Sequence, residues 1–193
     1  MSLILASNSQ IRRSMLDQAG VAFEVRAPCF DENDVKLGFV GDSENLARAL
    51  AEGKAASVTA GPDDWAIGSD STVTVDGVRY SKPRDRAEAA AHLGAFSGRT
   101  MLLSSAVALA RQGRIDWSHA ETARLRVRPL SEAFIDNYLG QEWPEVGYCV
   151  GVFRMEGRGV TLFDEIDGSY FTILGMPLLP LLGALRERGL MPS

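Results

Sequence analysis

Segments with the pattern of β-strands alternate with helix-like segments along this chain, and that alternation limits the folds open to it. Strand patterns occur at Leu3 to Ala6, Phe23 to Ala27, Trp65 to Gly68, Thr100 to Ala110 and Arg114 to Arg128. Helical patterns begin near Ser9, Ser43, Asp85, Ser131 and Leu178. Strands interleaved with helices in this way predict an α/β fold with a large, partly antiparallel sheet.

Two turn signals and one loop complete the coarse plan. Asp76-Gly77 predicts a hairpin within Ser71 to Tyr80, and Gln112-Gly113 separates the two longest strands. Between Cys29 and Asp42 the apolar pattern fades, and we expect an acidic loop there. No repeat or clear linker divides the chain, so residues 1–193 are predicted to form one domain.

The charge of the chain excludes one class of function. The formal net charge of −5 and the pI near 5.1 argue against non-specific binding of nucleic acid through a basic face.

The two cysteines, Cys29 and Cys149, are too few for a disulfide framework. No apolar stretch approaches about 18 residues, and the N-terminus lacks the pattern of a secretion signal. We therefore expect a cytoplasmic protein that binds neither nucleic acid nor a membrane.

The passage from the first strand into the first helix is the first candidate binding site. Ala6-Ser7-Asn8-Ser9 joins the two elements directly, so free backbone N–H groups at the helix N-terminus can attract an anion. Arg12 and Arg13 follow in the first turns, where the helix dipole disfavours a positive charge unless an anion is present. The alternative is that two arginines simply lie on a solvated helix face.

A carboxylate directly after an apolar strand is the second candidate. Asp70 follows Trp65 to Gly68 and has small neighbours, which is where α/β proteins place their chemistry. A carboxylate there can hold a divalent metal or activate a water molecule. Lys82, twelve residues later, precedes a proline and is close to the expected hairpin. The alternatives are a turn or capping aspartate and a surface lysine.

These motifs together resemble the Maf family over essentially the whole chain. In the amino-terminal half the resemblance rests on LASNSQIRR at residues 5–13, Asp31-Glu32, Lys54-Ala55, Gly68-Ser69-Asp70 and Lys82-Pro83. In the carboxyl-terminal half it rests on Phe96 to Thr100, Glu156-Gly157, Gly168-Ser169-Tyr170 and Leu174 to Leu178. Several dispersed motifs in the same order are far more specific than any one of them.

The resemblance implies a fold and an activity. The fold would be a mixed α/β one, with a bent central sheet, flanking helices and two lobes around a cleft, similar to Maf proteins and inosine triphosphatase. The activity would be that of a nucleoside triphosphate pyrophosphatase, which cleaves between the α- and β-phosphates. Members are associated with removal of unwanted nucleotides, septum formation and cell-division arrest. The resemblance further implies a divalent cation such as Mg²⁺, Mn²⁺ or Co²⁺, a cytoplasmic location and a homodimer.

The resemblance also assigns roles to residues. Asp70 would be the catalytic base, and Glu32 and Asp70 would hold the metal, unless Glu32 is only a solvated residue of the acidic loop. Arg12, Ser71 and Glu156 would set substrate specificity. The phosphate contacts would come from Ser7, Ser9, Arg12, Arg13, Lys54 and Lys82. Arginine suits bidentate phosphate contacts, whereas lysine supplies a compact charge.

One stretch indicates the branch of the family. Members that cleave dTTP and UTP carry a glutamine-glycine pair where this chain has Glu156-Gly157. The pattern from Cys149 to Gly157 looks more like the 7-methyl-GTP pyrophosphatase branch. A carboxylate can accept from the two adjacent donors of guanine, N1–H and the N2 amino group. Phe153 and Trp143 either stack on a base or belong to the core or an interface.

Two classes of function remain open. The chain is either a hydrolase or a catalytically weak nucleotide-binding regulator of septum formation. The catalytic and cationic residues that match the family favour the enzyme. An inosine triphosphatase-type enzyme would catalyse the same reaction and differ only in its substrate.

Overall fold

The computed structural model describes residues 2–58 and 61–192. It contains seven strands in one mixed sheet, ordered β2-β1-β3-β5-β6-β7, with β4 paired to β3. The strands are β1 (Leu3–Leu5), β2 (Glu24–Val25), β3 (Trp65–Val75), β4 (Val78–Tyr80), β5 (Thr100–Arg111), β6 (Arg114–Val127) and β7 (Phe163–Asp167). The helices are α1 (Gln10–Gln18), α2 (Glu32–Gly38), α3 (Ser43–Ser57), α4 (Arg86–Phe96), α5 (Glu132–Glu142), α6 (Tyr170–Ile173) and α7 (Leu178–Glu187). The predicted mixed α/β fold is confirmed.

The chain forms two compact units. The first takes its residues from the segments up to Ser71, from Ser104–Glu121 and from Tyr170 onward. The second consists of Thr72–Leu103 and Thr122–Ser169. Strands β3, β5 and β6 contribute residues to both units. The single domain over residues 1–193 and the cleft stay predictions.

The strands of the first unit begin the sheet in parallel. β1 pairs in parallel with β2 and with β3, and its last residue, Leu5, lies opposite Ile67. Pairing with β1 therefore ends before Asp70, although β3 continues to Val75. Asp70 thus lies within a strand and not at the strand end that the sequence predicts. The continuous run of β-compatible residues after Gly68 explains the longer strand.

In the first unit, side chains alternate between the two faces of the sheet, and each face packs against different helices. On one face, Leu3, Leu5, Val107 and Leu109 pack in a cluster that includes Met15 and Leu16 of α1 and Leu181 and Leu185 of α7. On the other face, alanines of β5 pack with alanines of α3, namely Ala106, Ala108 and Ala110 with Ala47, Ala51 and Ala55. Small side chains on both elements allow α3 to lie close to the sheet.

Antiparallel strands and two packed helices form the second unit. β3 turns at Asp76-Gly77 into β4, with Val75 opposite Val78, as the sequence predicts. β7 pairs antiparallel with β6, and α4 packs against α5. Side chains cap the starts of α4 and α5: Asp85 accepts from the backbone N–H of Glu88, and Ser131 accepts from that of Phe134.

The acidic loop predicted between Cys29 and Asp42 is wrong, because it contains α2. Asp31 caps this helix by accepting from the backbone N–H of Asn33. The helix has no buried residue, so it lacks the apolar stripe by which sequence analysis recognises a helix. None of the helices in the described part of the chain combines the length and hydropathy that a membrane span requires.

Candidate active site

Two glycines allow close approaches that bring two carboxylates to one lysine. A Cβ at Gly68 would lie 2.1 Å from a backbone oxygen of α3, so α3 rests directly on β3 at this point. A Cβ at Gly53 would lie 2.3 Å from the ring of Phe30, so the segment before α2 packs on α3. Lys54 follows Gly53, and Asp70 lies two residues beyond Gly68 on the same face of β3.

Lys54 bridges the two carboxylates. Its Nζ donates to Asp70 Oδ1 at 2.5 Å and lies 2.7 Å from Glu32 Oε1. Lys54 and Asp70 are buried, with 7% and 8% of their surface exposed. The second oxygen of Glu32 accepts from Lys36 at 2.5 Å, near the surface. Charges of alternating sign therefore run from the surface to Asp70, and one cation at the position of the Lys54 nitrogen would contact both carboxylates.

The two lysines determine the ionisation of Glu32. Partial burial alone would raise the pKa of this carboxyl group, but hydrogen bonds from Lys36 and Lys54, together with their charges, lower it to about 2. Glu32 is therefore ionised at any physiological pH. Glu32 lies in α2 rather than in a loop and pairs with Lys54, while its role as a metal ligand stays a prediction.

Arg12 is oriented on the opposite face of β3. Its Nε donates to the carbonyl oxygen of Gly175 at 2.9 Å, and its Nη2 donates to Ser71 Oγ at 3.2 Å. Ser69 Oγ donates to the same carbonyl oxygen at 3.0 Å. Strand alternation therefore directs Asp70 toward α3 and its two neighbouring serines toward Arg12.

The loop between β1 and α1 has the predicted N-terminal geometry. Ser9 is the N-cap residue of α1, and its backbone N–H donates to Ser7 Oγ at 3.2 Å. The Ser9 side chain makes no capping hydrogen bond. Among the described residues, Arg13 Nε is buried without a hydrogen-bond partner. This helix end offers donors that an anion can satisfy.

The remaining predicted site residues, Lys82 and Glu156, are exposed and belong to the second unit. Burial raises the pKa of the Cys149 thiol to about 11, the charge of Glu156 adds to this increase, and the charge of Lys82 opposes it. Both charged residues therefore lie near this thiol. Arg154 donates to the buried carboxylate of Glu142 at 3.1 Å, which anchors the start of the turn that carries Glu156.

Phe153 belongs to the core. It is 6% exposed and packs edge-to-face on Phe163, with ring centroids 4.9 Å apart. Of the two alternatives for this residue, the core position is correct.

Among the described residues, Glu32 and Asp70 are the carboxylates placed to bind one metal ion together. Within the described residues, no group of three or more His, Cys, Asp or Glu side chains converges on one point. Two carboxylates, Glu32 and Asp70, share one cation position instead. Mg²⁺ commonly binds through one or two carboxylates together with substrate phosphates. The residues therefore fit a divalent ion that arrives with a phosphorylated ligand.

Sequence analysis missed several residues of these clusters. Lys36 lies one helical turn after Glu32, and the capping residue Asp31 was the signal that could have revealed this spacing. Ser105 hydrogen-bonds to Ser71, the partner of Arg12, and to the backbone of Thr172. These residues come from distant segments, so no local sequence pattern indicates that they meet.

Comparison with known proteins now identifies the family. The profile described as Maf-like protein matches residues 2–188. The chain belongs to the Maf-like family. A 7-methyl-GTP pyrophosphatase of Rhizobium meliloti is 47% identical over 191 residues, covering 97% of this chain and 96% of that protein. A nucleoside triphosphate pyrophosphatase of Sphingopyxis alaskensis is 45% identical over 198 aligned positions, covering 100% of both chains.

Among solved structures, a nucleoside-triphosphatase, or dITP/XTP pyrophosphatase, of Mycobacterium abscessus gives a TM-score of 0.40 at 18% identity. The match covers 66% of this chain and 73% of that one.

Proposed function

We propose that this Maf-like protein hydrolyses the α–β phosphate bond of nucleoside triphosphates, giving a nucleoside monophosphate and pyrophosphate. The observation that carries the proposal is the buried Lys54 ion-pair cluster with Asp70 and Glu32. Such a cluster supplies carboxylates for water and metal together with a cation for phosphate. The names of the relatives, 7-methyl-GTP pyrophosphatase and nucleoside triphosphate pyrophosphatase, agree with this chemistry.

In the proposed reaction, Asp70 acts as the general base. It accepts a proton from a water molecule whose oxygen attacks the α-phosphorus, and the bond from that phosphorus to the bridging oxygen breaks as pyrophosphate leaves. Lys54 contributes positive charge to the phosphates. Two lysines hold Glu32 in its ionised form, and Glu32 shares the ammonium group of Lys54 with Asp70.

Phosphate binding is proposed for the residues around the end of β1. Pairing of β1 with β3 ends at Leu5 and Ile67, and ligands of α/β proteins bind beyond the carboxyl ends of parallel strands. There Ser7, Ser9 and Arg13 of the α1 N-terminus would contact phosphate, with Arg12 and Lys54 on the two faces of β3. Lys82 keeps the phosphate-binding role that the family resemblance implies.

A divalent cation would be held by Glu32 and Asp70 together with the triphosphate. When bound, it would lower the pKa of a coordinated water and offset the charge of the phosphates. Because Lys54 pairs with both carboxylates, we expect the triphosphate to draw its ammonium group away as the cation enters.

The proposed substrate is a guanine nucleotide, 7-methyl-GTP before GTP. Glu156 is exposed and would accept from the N1–H and N2 amino donors of guanine, and its negative charge would favour the cationic methylated ring. The relative from Rhizobium meliloti is named for this substrate. Arg12 and Ser71 would complete the specificity set.

The test is pyrophosphate release from 7-methyl-GTP, GTP, UTP, dTTP and ITP with Mg²⁺, Mn²⁺ or Co²⁺. We expect metal-dependent release that is fastest with 7-methyl-GTP. Preference for ITP would instead indicate the inosine triphosphatase-type activity. Binding of triphosphates without release would contradict the proposal and support the regulatory alternative in septum formation. A homodimer, also a prediction, is checked by light scattering on the same sample.

A further inference from the structure

A continuous series of hydrogen bonds links Arg12 to the backbone of α6. Arg12 Nη2 contacts Ser71 Oγ at 3.2 Å, and Ser71 Oγ lies 2.8 Å from Ser105 Oγ. Ser105 Oγ in turn donates to the carbonyl oxygen of Thr172 at 2.7 Å. Ser105 and Thr172 have no exposed surface. Both serine hydroxyls therefore connect a guanidinium group to one buried carbonyl.

The chemistry of the end groups determines the direction of every bond in this series. A carbonyl oxygen can only accept, so the single hydroxyl hydrogen of Ser105 is committed to Thr172. Ser105 Oγ must then accept from Ser71, and the lone pairs of Ser71 are left to accept from Arg12, which can only donate. The other acceptor within reach of the Ser71 hydrogen, the carbonyl of Gly175, is more distant at 3.3 Å.

We infer that Ser105 is a positioning residue for Arg12, acting through Ser71. Two backbone carbonyls then hold the guanidinium: Gly175 directly through Nε, and Thr172 through the two hydroxyls. Without Ser105, the hydroxyl hydrogen of Ser71 would turn toward the carbonyl oxygen of Gly175. The lone pairs of Ser71 would then no longer be held toward Arg12. The inference rests on the proposed function, since Arg12 is taken to contact the triphosphate.

The test is a double-mutant cycle between Ser105→Ala and Arg12→Lys, with kcat/KM for pyrophosphate release as the measurement. Lysine retains the charge of Arg12 but lacks the planar guanidinium whose Nε and Nη2 donate in fixed directions to Gly175 and Ser71. In the wild type, Ser105→Ala is expected to lower kcat/KM about threefold to tenfold, the usual value of one hydrogen bond. In the Arg12→Lys background it is expected to have no further effect.

Ser104→Ala is the matched control. Ser104 is 2% exposed and adjacent to Ser105 on β5, so strand alternation places its side chain on the opposite face of the sheet from that of Ser105. It removes a buried hydroxyl from the same strand and is expected to leave kcat/KM unchanged. An equal loss from Ser105→Ala in both backgrounds, or an equal loss from Ser104→Ala, would overturn the inference.

The wild type, the two single variants and the double variant of the cycle are also titrated calorimetrically with inorganic tripolyphosphate, a probe that needs no hydrolysis. The affinity is expected to follow the same non-additive pattern. If the wild type binds tripolyphosphate but releases no pyrophosphate from any triphosphate, only the proposed function fails, and the affinity cycle decides the inference. If the wild type does not bind tripolyphosphate, the inference itself is overturned.

Discussion

Replacement of Lys54 by methionine tests the ion-pair cluster independently of any activity. Methionine keeps an unbranched apolar stem in the buried position but removes the ammonium group that lies 2.5 Å from Asp70 and 2.7 Å from Glu32. The loss depends on how well each carboxylate is served afterwards. Glu32 retains Lys36 and is partly solvated, whereas the Asp70 side chain is only 12% exposed.

The expected magnitude follows from that difference. Removal of one partner from a buried ion pair costs about 3–5 kcal/mol, because the other charge remains buried without compensation. We expect the free energy of unfolding to fall by about 3 kcal/mol, with Asp70 responsible for most of it. For a chain of this size, that corresponds to a melting temperature lower by about 6–12 °C.

The assay is urea unfolding followed by fluorescence and circular dichroism, since coincident transitions are needed for a chain with two compact units. Lys36→Met is the matched control: it removes the other lysine of Glu32, which lies 2.5 Å from that carboxylate but near the surface. Its cost should be about 0.3–0.5 kcal/mol. Addition of Asp70→Asn to Lys54→Met should recover most of the stability. A Lys54→Met protein within about 1 kcal/mol of the wild type, or no recovery in the double variant, would refute this reasoning.

Four further outcomes are expected. Asp70→Asn should lower pyrophosphate release about a hundredfold or more while the protein stays folded; near-normal release would exclude Asp70 as the base. Lys82→Ala should lower kcat/KM for every triphosphate alike, because phosphates carry no base identity, and a changed order of substrates would argue against a phosphate contact. Glu156→Gln should reduce activity selectively on 7-methyl-GTP and GTP; uniform loss would indicate a metal ligand, and no change would remove Glu156 from the site. The pKa of Glu32 is about 2 in the folded chain against an ordinary value of 4.5. Its contribution to stability is therefore complete above pH 4.5 and is lost as the pH falls toward 2. In Glu32→Gln, the free energy of unfolding should depend less on pH across that range.

The sequence by itself determined the features that depend on neighbouring residues. Asp76-Gly77 and Gln112-Gly113 adopt positive φ angles at the two predicted turns, because few other residue pairs tolerate that conformation. Asp85 and Ser131 cap their helices through bonds that span three residues. The Maf-like motifs, dispersed over the chain, identified the family because their order and spacing are written in the sequence.

Only the tertiary structure decided how those motifs meet. Lys54 reaches Asp70 because the missing side chain of Gly68 lets α3 rest on β3, and no local pattern predicts that approach. Arg12 is oriented by Gly175, 163 residues away, through packing of the last segment of the chain beside β3. The face on which each side chain of β3 lies depends on the strand continuing through Asp70, which the apolar run ending at Gly68 did not indicate. Such contacts arise from non-local pairing and close packing, so the residues of the site are visible in the sequence, whereas their partners are not.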